Sequence, residues 1–189
     1  MSTDGRVAEL LAQGDVAGAS TEAIRGLGPR VLRYFRSVLR DEDEAADAFS
    51  QFAENVWKGL ADYRGDSALL TWAFRIARNV AANTRRSPWL RGRQRLSTGA
   101  ASALAESMRT RTLGRSVREG DALRKLREAL SIDDQSLLAL RIDQELSWAE
   151  VADILSKDGR PVQPAALMKR FERLKQRLGT MARKQGLLA

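Results

Sequence analysis

The chain of 189 residues contains neither cysteine nor histidine. That excludes disulfides, thiolate and imidazole metal sites, and nucleophilic or acid–base catalysis by either residue. Only carboxylate chemistry stays open, and no cofactor is expected. Long hydrophobic runs are missing too. Nothing approaches the roughly 18–20 apolar residues of a membrane span, and Met1-Ser2-Thr3-Asp4 has no signal-peptide core. A cytoplasmic location is the expectation. Proline is scarce, with four in all, and alternating runs of Val, Ile and Thr are absent, so strands are not expected.

What is present is charge, unevenly placed. The net charge is +8, yet residues 1–62 carry 7 basic and 11 acidic side chains. Residues 63–119 carry 12 basic and 3 acidic, and residues 167–189 carry 7 basic against Glu172 alone. Two separated basic zones suggest two contacts with a polyanion. A solvated basic face explains the same numbers on charge alone.

Apolar residues recur at helical spacing through most of the chain. Val7, Leu10 and Leu11 mark a short first helix. A second is expected from about Thr21 to Arg40, with Gly28-Pro29 as a kink or restart. Asp41 with Glu44 has the form of a helix cap, and the helix it opens carries Ala45, Phe49, Phe52, Val56 and Leu60. After a polar break, Asp66 or Ser67 is placed to cap a helix ending near Arg86. Its apolar stripe is Leu69, Trp72, Ala73, Ile76 and Val80. Arg75, Asn79, Asn83 and Arg86 share another face. Trp57 and Trp72 are close enough to these stripes to be read as core.

Ser87-Pro88 ends that helix. Residues 87–120 are rich in Arg, Ser, Thr, Gly and Ala and read as a flexible basic linker. From Asp121, Leu123, Leu126 and Leu130 begin a second helical domain. Ser131 with Asp134 opens a helix carrying Leu137, Leu138, Leu140 and Ile142. Ser147 with Glu150 forms a capping box ahead of Trp148, Val151, Ala152 and Leu155. Lys157 to Pro161 form a turn, and Gln163-Pro164 starts a long basic helix with Leu167, Phe171, Leu174, Leu178 and Met181 inward. The expected fold is therefore all-α: two small helical domains joined by a flexible linker. Its divisions are an N-terminal extension at 1–20, a first domain at 21–86, the linker at 87–120 and a second domain at 121–189. Residues 147–183 have the order of a helix-turn-helix, although the turn is long.

These residues resemble a known family. Gly28 to Tyr34, Asp41 to Asp47, Phe52 to Trp57, Tyr63-Arg64-Gly65-Asp66-Ser67 and Thr71-Trp72-Ala73-Phe74-Arg75-Ile76-Ala77-Arg78-Asn79 are similar to region 2 of extracytoplasmic-function sigma factors of the sigma-70 family. Gln135 to Arg141, Leu146 to Leu155 and the basic helix resemble region 4. The resemblance implies an alternative sigma factor, not an enzyme. Such a protein binds the beta and beta-prime subunits of core RNA polymerase, brings it to promoter DNA and promotes melting for transcription initiation. An anti-sigma factor is a further partner that it implies.

By the same resemblance, Asp47, Gln51, Asn55 and Lys58 form a polymerase-binding face. Tyr63, Arg64, Asp66, Ser67, Arg75, Arg78, Asn79, Asn83, Arg85 and Arg86 face the minus-ten element. Arginine suits phosphates there, and asparagine offers a donor and an acceptor to a base edge. Gln163, Ala165, Ala166, Lys169, Arg170, Arg173 and Arg177 face the minus-thirty-five element. The family's turn before this last helix is short, whereas Ser156 to Pro161 adds about five residues. The helix start Gln163-Pro164-Ala165-Ala166-Leu167 departs from the family pattern as well.

Three other readings remain open. One is a helix-turn-helix regulator with a dimerisation or ligand module. Another is an anti-sigma factor or adaptor that mimics sigma. The third is an acidic-residue enzyme built on Asp41 to Asp47. Those acids, however, stand at a helix start, where the helix dipole favours them without a metal.

Overall fold

The computed structural model describes residues 2–39, 41–86, 126, 129–156 and 160–186. The expected linker, Leu123 and the middle of the turn after Ser156 lie outside the described residues. The chain divides into two units, residues 1–116 and 117–189. All regular elements among the described residues are helical, as the sequence predicts.

Among its described residues the first unit has four α-helices. α1 (Thr3–Ala12) is capped by Ser2, whose Oγ accepts from the Gly5 N–H, and it buries Val7. Gly14, at φ +76°, takes the left-handed conformation that reverses the chain. Asp15 then caps α2 (Val16–Val38) by accepting from the Gly18 N–H at 2.8 Å. This helix starts five residues earlier than Thr21, because Asp15 is the cap that the apolar spacing did not mark. It also runs unbroken through Pro29. Ile24, Leu27, Val31, Leu32 and Phe35 are all buried, so the residues before and after the proline join one core. Pro29 itself lies on the exposed side.

α3 (Glu42–Gly59) begins at Asp41, whose carboxylate accepts from the Glu44 N–H at 2.7 Å. Glu42, Asp43 and Glu44 fill its first turn, where the dipole stabilises them. A 3-10 turn (Leu60–Asp62) leads to the loop before α4 (Leu69–Arg86). The core between these helices is aromatic. Tyr34 meets Phe35 and Phe74 at 5.7 Å each, and Phe52 meets Phe35 at 6.4 Å and Phe49 at 5.8 Å. Tilted and edge-on pairs of this kind add about 0.5–1.5 kcal/mol each beyond area burial. The stripe expected for α3 is buried throughout. On α4 the inward face is rotated from the expected one: Phe74, Ala77 and Ala81 are buried, whereas Trp72 and Ile76 are half-buried.

Among the described residues of the second unit, Leu126 and Leu130 come first and are buried. Ser131 caps α5 (Ile132–Leu138). The chain then widens into a π-turn (Ala139–Asp143), in which Gln144 N–H reaches back to the Ala139 carbonyl. More residues per turn shift the phase of the side chains. Leu137, Leu138 and Leu140 are buried as expected, but Ile142 emerges 54% exposed. That corrects its expected place in the apolar stripe. α6 (Trp148–Leu155) has the capping box seen in the sequence, with both reciprocal bonds between Ser147 and Glu150. α7 (Pro164–Lys184) starts with Pro164 in its first turn. Leu130, Leu138 and Leu174 form the core here, with Phe171 and Leu178 packed against it.

The lengthened turn is closed at its base. Ser156 Oγ accepts from the Val162 N–H at 3.0 Å and donates to the Ala152 carbonyl at 2.7 Å. The extra residues therefore add length without parting the ends of α6 and α7.

Candidate nucleic-acid interface

Three groups of side chains carry the expected contacts. The first lies on α4 and the loop before it. Asn79, Asn83 and Arg86 are exposed, with Arg75 and Arg85 half-buried beside them. Arg78 stands apart at 4% exposure. Four residues after Phe74 it shares the buried face, and its guanidinium donates to Asn79 Oδ1 at 3.3 Å. Expected among the minus-ten contacts, it starts from a buried position in which it holds Asn79.

The loop is held from within. Gly65 takes φ +78°, a conformation strained for any L side chain. Tyr63 Oη donates to the Ser67 carbonyl at 2.5 Å, which closes the loop across its base. Ser67 thus contributes its carbonyl, and Ala68, whose carbonyl accepts from the Trp72 N–H, occupies the position before the helix. The cap expected at Asp66 or Ser67 falls beyond both. Arg64 and Asp66 point to solvent.

Trp72 lies 5.3 Å from the Tyr63 ring, centroid to centroid, at 52°. Neither Trp57 nor Trp72 is a core residue; both are half-buried. Burial first, then the carboxylates of Asp4 and Asp66, push the Tyr63 phenol above its ordinary value of 10.0. The phenol is therefore a neutral donor at physiological pH.

The influence of Asp4 shows what the sequence reading missed. α1 packs along α2, and the Asp4 carboxylate in its first turn acts on the Tyr63 phenol. Gly26 permits this approach: a Cβ there would stand 2.4 Å from Thr3 Oγ1. The signal was available in the Gly14-Asp15 pair, which ends one helix and caps the next.

The second group runs along α3. Asp47 and Lys58 are exposed, and Gln51 donates to Asn55 Oδ1 at 3.1 Å. Lys58 Nζ lies 2.5 Å from the carboxylate of buried Glu54, so this cation neutralises its own helix before it meets a partner.

The third group is on α7. Gln163, Ala165, Ala166, Lys169, Arg173 and Arg177 are exposed, the last three at four-residue spacing on one face. Arg170 is turned away from them. It binds Asp134 Oδ1 through Nε and Nη2, each at 2.8 Å, and so ties α7 to α5. Its side chain, expected among the DNA contacts, stays 39% exposed beside that ion pair. Lys175 is likewise engaged, paired with Glu172 at 2.8 Å and lying over the Phe171 ring.

Residues 23–91 match the family model of sigma-70 region 2. The chain is also similar to the RNA polymerase sigma-H factor of Pseudomonas aeruginosa, 37% identical over 60 residues. That match covers 28% of this chain and 31% of the relative, so the chain spans about a third of the length of the protein it matches. The family match contains the first two groups of side chains and stops before α7.

Proposed function

We propose, from the match of residues 23–91 to sigma-70 region 2, that the chain is an alternative sigma factor of the extracytoplasmic-function type within the sigma-70 family. In this reading it binds core RNA polymerase in the cytoplasm, directs it to particular promoters and helps to open the DNA. It makes and breaks no bond itself.

One observation carries the reading. Within the matched region, the exposed Asn79, Asn83 and Arg86 share a helix with Trp72, which lies beside the glycine-turned loop at Tyr63. An unstacked base needs a surface to lie on and hydrogen bonds to its edge. The Tyr63–Trp72 pair provides the first, and the asparagines provide the second. Arg75, Arg85 and Arg86 supply charge for the strand's phosphates. Arg78 positions Asn79. On α3, Asp47, Gln51, Asn55 and Lys58 form the polymerase-facing side.

Residues 121–189 act as region 4 in the same proposal. The amino-terminal half of α7 lies in the major groove of the upstream element and α6 braces it. Lys169, Arg173 and Arg177 supply charge, and Ala165 and Ala166 allow close approach. The closure of the long turn by Ser156 supports this use, since it keeps α6 and α7 adjacent.

Reconstitution tests the proposal. Purified chain added to core polymerase should start transcription from a subset of promoters in its own genome. Failure to associate with core polymerase would sink it.

A further inference from the structure

α7 exposes one large apolar side chain on a side where its neighbours are small or charged. Met168 is 47% exposed, while Leu167 next to it is buried. Ala165 lies three residues before Met168 and four before Lys169, so the three side chains form one triangular patch. All three are exposed. Ala166 and Gln163 extend the patch toward the helix start, and no acid stands in the first turn. Lys169, Arg173 and Arg177 give the adjoining face a positive sign.

A basic rim suits a polyanion, but a thioether gains nothing from a phosphate. The major groove offers one apolar group, the 5-methyl of thymine. Methionine is unbranched and adaptable, so it can follow such a group across a contoured surface. The alanines beside it leave room for the bases to come close.

We propose that Met168 reads thymine, packing its side chain on a 5-methyl group in the major groove of the upstream promoter element. This rests on the reading of α7 as the helix that meets duplex DNA. Lys169 and Arg173 hold the helix to the backbone, and Met168 with Ala165 selects the base.

The test uses the full chain bound to core polymerase and a random-sequence duplex pool, from which preferred upstream elements are selected. Each thymine of a selected duplex is then replaced by deoxyuridine, which lacks only the methyl group. At one position the unaltered chain should lose about three- to fivefold in affinity, the worth of one buried methyl. Met168→Ala should abolish that loss, the two changes being non-additive, and Met168→Leu should keep it. An equal deoxyuridine effect in Met168→Ala, or none in the unaltered chain, overturns the proposal. So does a Met168→Ala chain that binds core polymerase more weakly and keeps its thymine preference, because a protein then covers the side chain.

The combined Lys169→Ala, Arg173→Ala chain separates the two levels. An unchanged salt dependence of upstream binding removes α7 from the DNA and defeats both readings. A reduced salt slope with thymine preference unaltered by Met168→Ala defeats only the one about Met168.

Discussion

The two units hold their functional helices in place by different means. In residues 1–116, α4 is fixed by an aromatic core, where Phe74 meets Tyr34 edge-on and Phe49 and Phe52 close the other side. In residues 117–189, α7 lies on a mainly aliphatic core, where Leu174 meets Leu130 and Leu138 with Phe171 and Leu178 packed against them, supplemented by polar ties. Arg170 grips Asp134, Ser147 and Glu150 form a reciprocal cap, and Ser156 closes the turn. Buried aromatics are heavy and rigid, which suits the proposed task of α4, to hold asparagines in position for a base. In the same proposal α7 enters a groove already shaped by the duplex, so it can depend more on its ends and on ties such as Arg170–Asp134.

The sharpest way to break this contrast is to cut both cores. Phe49→Ala should destabilise its unit by about 3–5 kcal/mol, and Leu138→Ala should cost at the lower end of about 2–5 kcal/mol. Denaturant unfolding measures both, and a larger cost for Leu138→Ala would reverse the comparison. Next in size is Asn79→Ala, which should weaken promoter opening by about 1–3 kcal/mol, the worth of a well-placed base contact. Opening read by permanganate reactivity should fall while core polymerase binding holds. Equal loss of both would remove Asn79 from the strand-capturing face.

Asp134→Ala tests the polar ties. It strands a half-buried guanidinium and should cost about 1–2 kcal/mol, between the values for exposed and for buried pairs. Ser147→Ala removes the cap and should cost about 1 kcal/mol. If neither change moves the melting of the second unit, its leucines alone support α7.

The smallest effect belongs to the Tyr63 loop. The phenol's proton-release point is raised in the folded chain, so the protonated form is the one favoured by folding. Its contribution is complete below pH 10.0 and is lost as pH rises through the higher folded value. Asp4→Asn should lower that value toward 10.0, as read by tyrosinate absorbance. No change on removing Asp4 would detach α1 from the loop.

Much of this was legible in the residues. The capping signals at Asp41, Ser131 and Ser147 each rest on a side-chain bond spanning three residues, and each appears where it was expected. Asn79, Asn83 and Arg86 are exposed on one face because four-residue spacing needs nothing beyond the helix itself. Arg78 and Arg170 have surroundings that the sequence does not disclose, for a common reason. Arginine's charge implies solvent or phosphate, but an inward position beside Phe74 or a carboxylate 36 residues away redirects it, and neither is local information. Ile142 was misplaced because a single π-turn changes the periodicity from which burial is read.

The sequence by itself determined the helical class, the caps and the spacing of the polar faces, since each depends on neighbours within about one or two turns. Only the tertiary structure decided that Arg170 binds Asp134, that the Asp4 carboxylate acts on the Tyr63 phenol, and that Met168 stands exposed. Those outcomes depend on packing between helices, where one buried aromatic or one distant aspartate outweighs any local preference.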